Sequence, residues 1–309
     1  MDKKKLKIVK PISIKKKVSP QRQRQKKHVE KLIELQSNIN IVNNDYDINL
    51  DNKDLIKSID YLLSIQWEII PTVLEFGFKN HLDKFRNFIP KIIIKSQLYS
   101  IHLNNQTFVD QELEKLIQKR LIFKLIIDEE NDELIIKTND YMKFIEQQEQ
   151  IQSIESYKQF ALQNFKDIFF KYVLNINSNI MMTNLIKINN QELESKFNCN
   201  KLQIDYLLKE GYLKIIPLIN DQYLQLSIPR FGFILKLLKQ SKILILKSLK
   251  LTKYNELLMN QLIEKWNTNK SKYKDFKGLN IYFILHYLIG KGLIESFETQ
   301  NQSKAIKLV

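Results

Sequence analysis

A chain of 309 residues with 44% hydrophobic content is long enough to bury two or three cores. Its single cysteine, Cys199, excludes an internal disulfide and suits a reducing compartment, and no run of 18 or more apolar residues is present to span a bilayer. The formal net charge of +15 is unevenly placed: residues 1–31 contribute +11, residues 32–229 contribute −6, and residues 230–309 contribute +10. Only two alanines occur, Ala161 and Ala305, amid many Lys, Asn and Ile, a bias expected of an A/T-rich genome. Such a bias raises lysine everywhere, so two basic ends around an acidic middle point instead to polyanion binding at the ends.

Residues 1–31 carry Lys3-Lys4-Lys5, Lys15-Lys16-Lys17, Arg22, Arg24, Lys26 and Lys27, interrupted by Pro11 and Pro20. No apolar period sustains a helix, and a disordered basic tail is expected, compatible with nuclear import or nucleic-acid contact. Mitochondrial leaders are Arg- and Ser-rich amphipathic helices, which this segment does not resemble. Residues 32–53 read as a polar linker, with ordered structure predicted to begin near Asp54.

A repeat organises the remainder. Leu116-Ile117-Gln118-Lys119-Arg120-Leu121-Ile122 resembles Leu207-Leu208-Lys209-Glu210-Gly211-Tyr212-Leu213, and both resemble Leu288-Ile289-Gly290-Lys291-Gly292-Leu293-Ile294, at spacings of 91 and 81 residues. Each copy closes a predicted amphipathic helix. In the first, Val109, Leu113, Leu116, Ile117 and Leu121 share one face; in the second, Leu202, Tyr206 and Leu207 do; in the third, Ile281, Leu285, Leu288 and Ile289 do. Gly211 and Gly292 stand where a helix end favours a left-handed residue. Each copy then opens a hairpin: strands 122–127 and 133–137, 213–217 and 223–228, and 293–297 and 305–309, with polar turns between them. Upstream helices are expected over 90–101, 157–174 and 252–266. Helix, tight turn and two-stranded ribbon form the second half of a winged helix, with the turn as the wing. The fold class read from this is α+β, mainly helical: three tandem winged-helix modules at 54–150 (with preceding helices), 151–229 and 230–309, behind the disordered tail. A mixed helical domain with three unrelated hairpins is the alternative.

From Phe231 to Asn255 there is no acid, and six lysines occur: Lys236, Lys239, Lys242, Lys247, Lys250 and Lys253. On one helix at about 100° per residue they fall within an arc of roughly 140°. Phe233, Ile234, Leu237, Leu244 and Ile245 take the other side, while Ile243 and Leu246 interrupt the arc, so a break near Ser241 is expected. A face that is merely solvated usually intersperses Glu for i,i+4 pairing, and the missing carboxylates favour phosphate binding. Little suggests base readout, which would favour Arg and Asn at the start of a recognition helix. The first module's turn, Asp128-Glu129-Glu130-Asn131-Asp132, would repel phosphate, and internal packing or protein contact is expected of it.

Catalytic signatures are missing. The six glycines never form G-x-G-x-x-G, no His-Arg-Asp occurs, and Asp275-Phe276 is followed by Lys277, so a kinase site has none of its parts. A Walker A loop is absent. His28, His81, His102 and His286 are scattered and Cys199 has no Cys partner, which leaves no metal-ligand spacing. His286 is expected as a satisfied core or boundary histidine, Cys199 as a small buried hydrophobe, and Phe165, Phe169, Phe170 and Tyr172 as core stripes. Neither enzyme nor cofactor is expected.

Five blocks carry a resemblance in order and spacing: Ile92-Ile93-Ile94-Lys95-Ser96-Gln97-Leu98-Tyr99-Ser100 with Glu112-Leu113-Glu114-Lys115-Leu116; Ile228-Pro229-Arg230-Phe231-Gly232; Lys253-Tyr254-Asn255-Glu256-Leu257-Leu258; and His286-Tyr287-Leu288-Ile289-Gly290. Over roughly residues 54–309 the chain resembles the serine/threonine-protein kinase 19 family. The resemblance implies a triple winged-helix, non-kinase DNA-binding protein of the nucleus, acting in transcription-coupled nucleotide excision repair. It further implies partners there: stalled RNA polymerase II, the Cockayne-syndrome ubiquitin ligase and transcription factor IIH. The family's DNA-facing basic positions fall on Lys236, Lys250, Lys253 and Lys265. A further one falls on Leu251, and Lys replaces Arg at others, which implies point-charge rather than bidentate phosphate contacts.

The expected function is a non-catalytic scaffold whose third module grips double-stranded DNA through Lys236, Lys239, Lys242, Lys247, Lys250, Lys253 and Lys265. The alternative is a winged-helix interaction subunit of a transcription complex without direct DNA binding.

Overall fold

A computed structural model describes residues 54–309 except 72–75, 128–131, 152–154, 175–186, 218–221 and 270. The basic tail and polar linker expected over 1–53 therefore lie outside the described residues, as does most of the acidic turn at 128–132. The described chain is mainly helical with three small antiparallel sheets, an α+β fold.

Asp54, the first described residue, accepts the Ile56 amide on its side chain at 3.1 Å and caps α1 (Leu55–Ser64). Helix α2 (Phe76–Asn87) follows. One pattern then recurs three times: a very short strand, a helix started directly from it, a second helix, and a hairpin. The first copy is β1 (Ile93–Ile94), α3 (Lys95–Ile101), α4 (Gln106–Gln118), β2 (Ile122–Ile127) and β3 (Asp132–Lys137), continued by α5 (Thr138–Glu149). The second opens with α6 (Ser156–Phe169), extended by a π turn at Phe170–Leu174. It continues through β4 (Lys187–Asn189), α7 (Asn190–Phe197), α8 (Lys201–Glu210), β5 (Leu213–Pro217) and β6 (Gln222–Leu226). The third is α9 (Phe231–Lys250), β7 (Glu256–Leu258), α10 (Met259–Asn267), α11 (Ser271–Lys274), α12 (Ile281–Gly290), β8 (Ile294–Glu298) and β9 (Lys304–Leu308).

In every copy the short strand pairs with the hairpin's second strand, giving the orders β1-β3-β2, β4-β6-β5 and β7-β9-β8. The seven-residue repeat makes the same turn each time. Leu121, Tyr212 and Leu293 donate their amides to Leu116, Leu207 and Leu288, at 3.0, 2.9 and 3.0 Å. The residues before them, Arg120, Gly211 and Gly292, have φ of 58°, 85° and 65°. This is the helix-ending turn in which a left-handed residue lets the chain reverse and satisfy the last carbonyls. The sequence marks it with glycine twice; at Arg120 a side chain accepts the same strained backbone. A further bond closes each hairpin onto the turn: Thr138 to Leu121, Ser227 to Tyr212 and Val309 to Leu293.

Several expectations need correction. The upstream helices expected over 90–101 and 252–266 begin only at Lys95 and Met259, because the residues before them pair as strands. The expected break near Ser241 is absent: α9 is continuous, and buried Ser241 satisfies its hydroxyl on the Leu237 carbonyl at 2.7 Å. Phe233, Leu202 and Phe170, each expected on a packed face, are exposed.

The first and third copies are joined closely. Helix α12 lies across α3, with the Gln97 amide donating to the Phe283 carbonyl at 2.9 Å and the Ser100 hydroxyl 2.7 Å from His286 Nδ1. Gly290 makes the crossing possible: a β-carbon there would stand 1.7 Å from the Ser96 carbonyl oxygen. Asp132, buried at the start of β3, pairs with Lys291 at 3.0 Å, so this residue of the acidic turn packs internally. The 66–68 segment bonds alongside 278–280, where Arg86 donates to the Glu68 and Lys277 carbonyls at 2.7 and 2.8 Å while lying over Trp67.

His286 is buried as expected, and burial pulls its pKa down to about 3. The unfolded chain takes up its proton near pH 6.5, while the folded chain resists it down to about pH 3. Stability from this group is thus full above pH 6.5 and declines as pH falls through that window. Lowering pH from 7 to 5 should cost about 2 kcal/mol through this one residue. Urea midpoints at both pH values should differ less in His286→Gln; an equal pH dependence would refute the assignment. Cys199, also buried as expected, has its thiol pushed up by the same desolvation.

Candidate nucleic-acid interface

Helix α9 is amphipathic because its apolar residues recur at helical spacing, burying Ile234, Leu237, Leu238, Ser241, Ile245 and Leu249 along one side. Arg230 starts it in a left-handed conformation (φ 61°) and is held by Glu210 at 2.6 Å and by the ring of Phe88 at 4.8 Å. The opposite side carries Lys236, Lys239, Lys247 and Lys250, all exposed. Lys253, just past the helix, is exposed with its ammonium 5.2 Å from the Tyr254 ring centre. Lys265 is exposed on α10, a different element from the lysines of α9. Lys242 differs from the rest, being half-buried and already engaged by a neighbour.

Among the described residues, no carboxylate pairs with Lys236, Lys239, Lys247, Lys250, Lys253 or Lys265. Several cations of the first two copies, by contrast, are paired locally. Lys124, buried, lies 2.8 Å from Glu114; Lys137 meets Asp60 at 2.6 Å; Lys196 meets Glu192 at 2.7 Å. Lys95 shows the balance most clearly. Burial pulls its ammonium down, but the hydrogen bonds to Asp110 and Tyr99 and the charge of Glu133 overcome that, and its pKa ends above the usual lysine value.

The second helix of each pair, where base readout would be expected, offers little to a duplex. Helix α12 is buried on nearly every side, eight of its ten residues lying inside. Helix α8 exposes Lys201, Leu202, Asp205 and Lys209, a face of mixed sign. The third hairpin turn is polar and uncharged at its tip, with Gln300, Asn301 and Gln302 exposed and Thr299 bonded to Ser303.

Two apolar residues beside the lysines are exposed: Ile243 is 61% exposed and Leu251 78% exposed. Ile243 lies within the cationic arc, one of the two interruptions read from the sequence, whereas Leu251, which caps the helix, falls outside it. Among the described residues no cluster of His, Cys, Asp or Glu could hold a metal ion, and no helix is long and apolar enough to cross a membrane.

A family model described as inactive serine-threonine protein kinase 19 matches residues 66–308. No curated protein matches the chain. The word inactive in that description agrees with the missing Gly-rich loop and catalytic Asp motifs: the chain is non-catalytic.

Proposed function

The chain belongs to the inactive serine-threonine protein kinase 19 family, and from that premise we propose that it is a nuclear DNA-binding protein whose third module grips duplex phosphates. The three repeated units are read as winged helices at 54–150, 151–229 and 230–309, each with its short strand, helix pair and hairpin wing. A role as a scaffold in transcription-coupled nucleotide excision repair, beside RNA polymerase II, the Cockayne-syndrome ubiquitin ligase and transcription factor IIH, follows from the family resemblance.

The carboxylate-free lysine face of α9 carries this reading. Lysines without carboxylate partners release phosphate counterions on binding without giving up an internal ion pair. Because α12 is occupied by α3, the contact uses the first helix of the module and its charges, and binding should be indifferent to base sequence. Lys236→Glu with Lys253→Glu in the full chain should weaken duplex binding at least tenfold, measured by anisotropy of a labelled duplex. The slope of log K against log salt should become shallower by roughly 2. Wild-type affinity in a folded double variant would defeat the proposal.

One observation favours the alternative, an interaction subunit that does not touch DNA: the base-reading helix positions are buried or mixed in sign. Absence of duplex affinity at low salt, together with co-purification of polymerase or helicase subunits, would establish that reading.

A further inference from the structure

Helices α2 and α9 leave an open groove between them, of about 340 Å³. Its floor is aromatic: Phe85, Phe88 and Phe233 line it, with the Phe85 and Phe233 rings edge-to-face at 5.8 Å. Its rim carries the cations Lys84 and Arg230 beside His81. Lys277 stands 5.6 Å over the Phe85 ring and Arg230 4.8 Å over Phe88, so two of the rings are themselves faced by positive charge. Among the described residues, no carboxylate lines the groove. Glu210, which neutralises Arg230, borders a second, smaller cavity on the other side of the Phe88–Arg230 pair.

Two features define what would fit. The volume lies at the low end for ligand pockets, roughly 300–1,000 Å³, and accommodates one or two bulky side chains rather than a large molecule. Apolar walls under a rim of one sign favour an apolar anchor flanked by the opposite charge. A nucleic-acid backbone satisfies the rim but leaves the floor empty. We propose that this groove binds a short acidic peptide segment of a partner protein, with one aromatic or leucine side chain seated against Phe85 and Phe233 and flanking carboxylates near Lys84 and His81. This goes beyond DNA binding and does not depend on it, because neither Phe233 nor Lys84 belongs to the lysine set.

The test uses the full chain and a fluorescein-labelled peptide of sequence Glu-Asp-Glu-Phe-Asp-Leu-Glu-Asp, with a control in which Ala replaces Phe and Leu. Anisotropy at moderate salt should show saturable binding of the first peptide, at least tenfold tighter than the control. Lys84→Glu, an exposed change that leaves the fold intact, should weaken it about tenfold, and Phe233→Ser should do likewise. Labelled duplex should bind both variants as it binds the wild type. Equal binding of the two peptides, unchanged affinity in Lys84→Glu, or a parallel loss of duplex binding in that variant would overturn the assignment, the last by showing the groove to be part of a nucleic-acid path. Failure of Lys236→Glu with Lys253→Glu to affect duplex binding would bear only on the earlier proposal.

Discussion

Replacing Gly290 with alanine should be among the most damaging single-methyl changes in this protein. The added carbon would be driven to 1.7 Å from a backbone oxygen, that of Ser96, and a helix backbone cannot swing aside as a flexible side chain can. Helices α3 and α12 would have to separate, lengthening the Gln97–Phe283 and Ser100–His286 bonds that stitch them together. Overpacking generally costs about 1–3 kcal/mol, and a rigid neighbour puts this case at or above the upper end. Alanine's better helix propensity, worth about 1 kcal/mol over glycine, offsets only part of that. Gly292→Ala makes a good comparison: nothing lies within 4 Å of its added carbon, so its loss should reflect only the left-handed backbone, on the order of 1 kcal/mol. Urea unfolding of both variants should rank them in that order, and a Gly290→Ala protein as stable as the wild type would contradict the packing described.

Glu68→Ala should be comparably severe for an electrostatic reason. The Lys272 side chain is only 7% exposed, and its ammonium is held by the Glu68 carboxylate and by Asn267 Oδ1 at 2.6 Å. Removing the carboxylate strands a buried cation with one neutral partner, a change that typically costs about 3–5 kcal/mol. The same substitution made with Lys272→Met should recover most of the loss, because an apolar side chain of similar length needs no counter-ion. A double-mutant cycle by chemical denaturation measures this, and strict additivity of the two changes would show that the pair is not coupled.

What the sequence disclosed follows from the range over which each signal is written. The hairpins and the turns before them were legible because six to ten residues carry an alternation and a glycine marks the reversal. Strands of two or three residues complete no period: Ile93–Ile94 and Glu256–Leu258 fell inside the predicted helices, and Lys187–Asn189 was not predicted. Exposure of Phe233, Leu202 and Phe170 could not be foreseen, since an apolar residue at the edge of a helical face is buried only if some other element arrives there. Helix α12, expected to be amphipathic with Ile281, Leu285, Leu288 and Ile289 on one face, is instead buried on nearly every side, because a segment reading Ile-Tyr-Phe-Ile-Leu-His-Tyr-Leu-Ile-Gly is apolar all round and needs cover on two sides. Its cover, α3, lies too far back in the chain for any local pattern to name. At the candidate interface the acid-free run was plain, whereas the engagement of Lys242 depends on which neighbour stands near it in space.

The joining of α3 to α12 also sets an order of events during synthesis. Ser100 and His286 are separated by 186 positions. At the usual elongation rate of 5–20 residues per second, roughly 10–40 s pass between the emergence of the two. Through that interval α3 exists without the helix that covers it, and the Gln97 amide and Ser100 hydroxyl lack the Phe283 carbonyl and His286 ring they meet in the folded chain. The first module is thus completed only once residues 281–290 have been made.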